Sequence, residues 1–434
     1  MIMESLFAVV DIFWVSRLGA DAVATVGLTE SMLTLIVAVS IGLSMATTAM
    51  VARRVGEGDL EGAAVSAVQA IGLAVILSIP IAVVGMIWAP DLLRLMGASE
   101  GVIAGSGYTA VLIGGNVTLL LLYLINAVFR GAGDPAIAMR CLWLANILNM
   151  VLDPCFIYGW GPFPEMGVAG AAVATTIGRG CGVLYQLYAL SRHDSRVVIL
   201  RRHLRLQMEV MIRLLRISGP GIFQFLIATA SWLVLVRLIS RFGSAAVAGY
   251  TVAIRVLIFA ILPSWGMCNA AATLVGQNLG AGRPDRAARS VWQTGLYNMA
   301  FMAFVTVFFL VWGEPVLRFF TTDPEVLRYA LECMRIVSYG YVAYAWGMVM
   351  VQAFNGAGDT WTPTLINLLC YWVIQIPLAW FLAMSPISPI SPASPASPGM
   401  GVSGVFWAMF IAETLLAIIG MLAFRRGRWK EKRV

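Results

Sequence analysis

Carboxylates set inside long apolar runs are the residues of this chain that could do chemistry. Asp11 stands in FAVVDIFWV with no neighbouring base, and Asp153 stands in NMVLDPCF beside a proline. An ionisable group at mid-membrane depth costs roughly 2.5–3.5 kcal/mol on insertion scales, so each is a functional hypothesis by default. Glu4 precedes Asp11 by two helical turns and shares its face. Asn146, Asn149 and Asp153 recur at i, i+3 and i+7 as one polar stripe. Pro154 frees a backbone carbonyl near Asp153 and favours a kink. A buried carboxyl group can take up a proton on one side and release it on the other. If its ionised form also attracts a cationic solute, proton and solute compete for one site. Competition of that kind is the physical basis of antiport. Proton entry at 100 mV supplies about 2.3 kcal/mol per charge.

The other interior charges divide by position. Arg179 joins the acids in the first half, whereas Arg255 and Glu413 lie in the second and read equally as interhelical ties or functional charges. Glu30, Glu332 and Arg335 sit within a turn or two of an outer interface and read as snorkelling side chains. Six cysteines at irregular spacing inside apolar segments read as small buried hydrophobes, not disulfides or metal ligands. His193 and His203 share one basic linker and read as solvated. With no metal-ligating set and no nucleophile–base pair, an enzyme is not expected.

The elements that must position these groups are membrane helices. Of the 434 residues, 60% are hydrophobic and 12% charged, about half the charged fraction of a soluble protein. Apolar runs of about 20 residues read as spanning helices, because backbone groups in hydrocarbon must bond within their own segment. Such runs fall near 1–16, 25–50, 62–88, 103–128, 136–158, 168–190, 217–240, 246–274, 288–312, 327–353, 361–384 and 402–424. They predict twelve spans, arranged as a lobe over 1–190, a basic connector over 191–216, a lobe over 217–424 and a basic tail over 425–434. An even number puts both termini on one side. That side then holds 20 of the 29 basic residues and is read as cytoplasmic, with nucleic acid excluded as a partner. The first span is short, which predicts a start upstream of Met1.

The two lobes repeat. SRLGADAVATVG at 16–27 returns as SRFGSAAVAGYT at 240–251, and VARRVGEGDLEGAAVS at 51–66 returns in the same register as VGQNLGAGRPDRAARS at 275–290. FRGAGDP at 129–135 returns as FNGAGDT at 354–360, one position later in that register. GVAGAAVA at 167–174 returns as GVSGVFWA at 401–408, later still. The Ser-Pro stretch at 385–399 accounts for the last increment and reads as an extended outer linker. Two halves of six spans enter the membrane in the same direction, as in transporters with parallel repeats. In RGAGDP the glycines end one helix, Asp134 can cap the next and Pro135 fits its first turn. The register projects Asp11 onto Leu235 and Asp153 onto Leu378, so the acids belong to one lobe only.

These motifs in this order, VDIFWVSRLGADAVATVGL, VGEGDLEGA, FRGAGDP, NMVLDPCFIYG, VGQNLGAGRPDRA and FNGAGDT, resemble multidrug and toxic compound extrusion (MATE) transporters along essentially the whole chain. The first-span Asp and the fifth-span LDP resemble the DNA-damage-inducible F-type and archaeal branch. The resemblance implies an all-α polytopic membrane protein, with twelve transmembrane helices in two parallel six-helix repeats as a V-shaped two-lobe bundle. It also implies a secondary antiporter that exports organic cations, drugs or metabolites in exchange for protons or sodium by alternating access. Asp11 and Asp153 then couple the ion, with Glu4 as a third acid where the branch has glutamine. Asn149, Asn146, Thr175 and Arg179 are then the substrate- or ion-binding positions, and Na+ at Asp11 and Asp153 is the one metal ion implied. No other cofactor is expected. The partners are a small organic cation or metabolite and the bilayer, and the chain works as a monomer in a prokaryotic plasma membrane. The competing reading is a lipid or lipid-linked oligosaccharide flippase, but such cavities tend to be Arg-lined, whereas this lobe is acidic.

Overall fold

The computed structural model describes residues 10–192, 196–384 and 400–432, which form helices and short connections with no β-strand among them. They fall into two compact units, Met1–Ile222 and Phe223–Val434.

In the first unit, α1 (residues 10–16) is followed by α2 (Ala20–Glu57), α3 (Leu60–Leu95), α4 (Glu100–Ala104), α5 (Ser106–Gly114), α6 (Asn116–Ala132), α7 (Pro135–Tyr158) and α8 (Val168–Ser191). The unit boundary falls inside α9 (Met208–Ile239). The second unit continues with α10 (Ser244–Gly280), α11 (Pro284–Arg318), α12 (Pro324–Tyr339) and α13 (Tyr341–Gly356). Then come α14 (Trp361–Asn367), a π-helical stretch (Leu368–Gln375), α15 (Ile376–Met384) and α16 (Val402–Arg425).

Nine segments among the described residues are long and apolar enough to cross a membrane, and α5 with α6, bent by 40°, makes a tenth. Of the other two expected spans, α1 is described only over 10–16, and the tenth divides at Gly340 into α12 and α13. A helix of 16 residues is about 24 Å long, short of the ~30 Å hydrocarbon core. α12 also carries Glu325, Arg328, Glu332 and Arg335.

The backbone repeats the register read from the sequence. Gly19 and Gly243 precede α2 and α10 with φ of 107° and 104°, and Gly167 and Gly401 precede α8 and α16 with φ of 55° and 62°. The helix breaks at Gly115 and Gly340 keep the spacing that separates FRGAGDP from FNGAGDT. The π-helical stretch changes one assignment. Met166 N donates to Phe156 O, and its repeat equivalent Met400 N donates to Leu382 O. Phe156 and Leu382 lie one position further apart than Gly115 and Gly340, so the second unit has gained one residue within that stretch. A π-helix absorbs such an insertion by lengthening one turn. Asp153 is therefore matched by Ala379, not Leu378, and the acid stays confined to the first unit.

Side chains finish the turns. Asp59 Oδ1 accepts from Gly62 N at 2.8 Å, and Asp323 Oδ1 accepts from Glu325 N at 2.8 Å, both at helix starts. Asp134 makes no such side-chain bond among the described residues, so Pro135 alone shapes the start of α7. The described part of the connector is held in place. Gln69 on α3 donates to Arg205 O and accepts from Gln207 N, both at 2.9 Å. His203 is buried, pairing with Glu61 beside Arg202, which corrects its reading as solvated. The described part of the tail docks in the same way. Lys430 pairs with Asp285, the repeat equivalent of Glu61, at 2.9 Å, and Trp429 is buried and stacked on Phe424 at 4.5 Å. The six cysteines are unbridged, although Cys155 and Cys181 are only half-buried.

Candidate functional site

The pairing of α7 with α8 positions most of the expected site. On α8, Gly170, Ala174, Gly178 and Gly182 recur every fourth residue, a stripe of small side chains that lets two membrane helices approach closely. A Cβ on Gly178 would lie 2.6 Å from Ala145 O and 3.2 Å from Asn149 Cβ. That close approach sets Asn149 against Thr175. Asn149 Nδ2 donates to Thr175 Oγ1 at 2.9 Å and to Asp153 Oδ1 at 3.2 Å.

α1 is tied to the end of α7. Tyr158 Oη donates to Trp14 O at 2.7 Å, and the Trp14 ring meets Tyr158 and Trp160 edge-on at 6.0 and 5.9 Å. Asp11, 5% exposed, is one turn before Trp14, and Asp153, fully buried, is just over one turn before Tyr158. Asp11, Asp153, Glu30 and Arg179 all act electrostatically on the buried Tyr108 of α5, and Asp11 acts on Asp153. Sequence reasoning missed Tyr108, which stands in a Gly-rich segment with no charge to mark it. Glu30, read as a boundary side chain, is exposed on α2, and both it and Arg179 act on Asp11.

A cavity of about 240 Å³ opens beside this cluster, lined by Asn146, Asn149, Thr175 and Arg179 with Leu119 and Leu122. Glu4 lies outside the described residues. Of the other expected residues, Asn149, Thr175 and Asp153 are joined by hydrogen bonds, Asn146 and Arg179 line the cavity with Asn149 and Thr175, and Asp11 acts on Asp153 through charge.

Asp11 Oδ1, Asp153 Oδ2 and Asn149 Oδ1 are buried without a hydrogen-bond partner among the described residues. An orphaned buried acceptor costs about 1–3 kcal/mol, and more when charged. Three such oxygens answer to a proton or to a hard cation, which takes oxygen ligands. The donor set therefore fits sodium as well as a proton, with Asp11, Asp153 and Asn149 as the residues that would hold it. No group of three or more His, Cys, Asp or Glu suited to a metal ion occurs among the described residues.

The MatE family model matches residues 1–155 and 220–381. A probable multidrug resistance protein NorM of Thermotoga maritima is 26% identical over 100% of this chain and 91% of its own length. An FAD transporter of Shewanella oneidensis is 26% identical over 86% of this chain and 83% of its own. Among solved structures, a MATE in the straight conformation superposes with a TM-score of 0.88 at 27% identity, covering 99% of this chain and 94% of that one. The same score, at 26% identity, is reached with the bent conformation, over 99% and 93%. The chain therefore belongs to the MATE family of multi-pass membrane transporters.

Proposed function

We propose that this protein is a secondary antiporter that exports organic cations, drugs or metabolites in exchange for protons or sodium. The observation that carries the reading is the set of three orphaned oxygens on Asp11, Asp153 and Asn149. In the state that releases solute, protons or Na+ at these oxygens offset the carboxylate charge that held a cationic solute. When the ion leaves on the other side, the restored charge draws in the next solute. Ion and solute thus exclude each other electrostatically, and the site need only alternate in access. Asn149 has a positioning role. Its amide, shared between Thr175 and Asp153, fixes one Asp153 oxygen and leaves the other for the ion. The branch suggested by the first-span Asp and the LDP motif, a monomeric working state and cytoplasmic termini belong to the same proposal.

Uptake of a fluorescent cation into inverted vesicles, with proton and sodium gradients imposed separately, tests it. Solute should accumulate under one gradient and discharge when that gradient is collapsed. Accumulation indifferent to both gradients sinks ion coupling. No movement of any organic cation sinks the solute class.

A further inference from the structure

The second unit holds a cavity of its own, about 130 Å³, lined by Ile254, Leu257, Ile258, Ile261 and residues of α12, α13 and α16. Its place is not accidental. In the repeat register, Ile261 matches Val37, Tyr344 matches Leu119, Met409 matches Thr175 and Glu413 matches Arg179, and the matched residue in each pair lines the cavity of the first unit. The two units therefore carry repeat-related cavities in which one position has been inverted from arginine to glutamate.

We propose that the cavity of the second unit is a binding site for a small organic ammonium ion, with Glu413 as its counter-charge and Tyr341, Tyr344 and Phe410 as its aromatic wall. Glu413 Oε1 accepts a hydrogen bond from Tyr371 Oη at 3.2 Å, while Oε2, like Tyr341 Oη, is buried without a partner among the described residues. Among those residues no Lys, Arg or His lines the cavity, so no protein cation balances the carboxylate there. Aromatic faces attract cations, and recognition of quaternary ammonium by such walls is a known use of that attraction. The size also fits. A cavity of about 150 Å³ takes up benzene, so one slightly smaller admits an ammonium head with its methyl groups. Gly340 keeps the wall close, since a Cβ there would lie 3.1 Å from Phe410 Cδ2. The break between α12 and α13 at this residue leaves the cavity lined by the ends of broken helices, as solute sites in transporters often are. The simpler reading, that Glu413 only ties α16 to Tyr371, uses one carboxylate oxygen and leaves the other unexplained.

This inference rests on the transporter reading only in its choice of solute, and binding at equilibrium tests it without transport. The probe is choline, against its neutral isostere 3,3-dimethylbutan-1-ol, on the full-length chain in detergent with Asp11→Asn and Asp153→Asn already installed. Saturable choline binding should persist in that background and fall at least tenfold on adding Glu413→Gln, which keeps an acceptor for Tyr371. Tyr371→Phe should leave binding within about threefold, because it removes the tie and keeps the charge. If Glu413→Gln elutes as aggregate, Met409→Lys supplies an internal ammonium and should abolish binding in its place. Absence of saturable binding in the background, equal binding of the isostere, or binding unchanged by both Glu413→Gln and Met409→Lys overturns the site. None of those outcomes touches the efflux assay, so the two readings fail separately.

Discussion

At the scale of single residues, the chain separates charge from its usual partners. Asp11 and Asp153 are buried and each keeps an oxygen without a partner among the described residues, an arrangement that burial disfavours unless something binds there. We therefore expect Asp11→Asn and Asp153→Asn each to bring dye efflux to background while the protein still inserts and elutes as a single species. Wild-type efflux from both variants would remove the acids from the mechanism. Thr175→Val is a milder probe. It takes away the acceptor for Asn149 Nδ2 and with it a hydrogen bond of about 1 kcal/mol, roughly a factor of five in an equilibrium constant. The half-saturating concentration of the coupling ion should rise by about that factor with maximal efflux little changed. An unchanged ion dependence would show that Asn149 does not orient Asp153. The acids were legible in the sequence because a lone carboxylate in an apolar run is costly enough to stand out. Tyr108 was not, since a tyrosine in a membrane helix costs little and its meeting with four charged groups is created by packing.

At the scale of elements, close approach places the site. The seam on α8 brings backbone to backbone, and its cost of disruption depends on what a new methyl group meets. Gly178→Ala would place Cβ 2.6 Å from the carbonyl of Ala145, which cannot move without shifting α7. Gly180, on another face of the same helix, would place it 4.0 Å from Thr118 Cγ2, in ordinary contact. Overpacking of the first kind costs typically about 1–3 kcal/mol. Gly178→Ala should therefore lower the thermal midpoint by several degrees and weaken efflux, while Gly180→Ala changes neither. Equal behaviour of the two would mean the seam is loose. The small-residue period of α8 is visible in the sequence, but the partner is not, because spacing alone does not say which helix faces the stripe. The inserted residue in the π-helical stretch was hidden for a related reason. An offset counted from flanking motifs registers an insertion only at the next motif. Here the next motif followed the Ser-Pro stretch, to which the whole change was assigned.

At the scale of the whole molecule, the repeat organises charge as well as helices. In the first unit, the turn before α3 and the connector lie at one end, because Glu61 pairs with Arg202 and His203, and Arg196 donates to Ala132 O at the turn before α7. In the second unit, the turns before α11 and α14 are held to the tail by Lys430 with Asp285 at 2.9 Å and Lys432 with Asp359 at 3.3 Å. Each unit thus gathers basic segments at one end of its bundle, the condition under which loop charge fixes orientation. Composition alone read the histidines of the connector as solvated and the tail only as basic, because charge-rich segments usually face water. It could not show Trp429 inserted against Phe424, which depends on a site that only the folded bundle offers. Trp429→Ala should lower the thermal midpoint through loss of a large buried side chain, a change that costs about 3–5 kcal/mol in soluble cores. The orientation prediction is sharper. Green fluorescent protein fused after Val434 should fluoresce, and alkaline phosphatase at the same point should be inactive, since one matures only inside the cell and the other only outside. Phosphatase inserted after Ala393, in the Ser-Pro stretch expected on the outer face, should be active. The reverse pattern would place the basic ends outside, and with them the direction in which Asp11 and Asp153 exchange ion for solute.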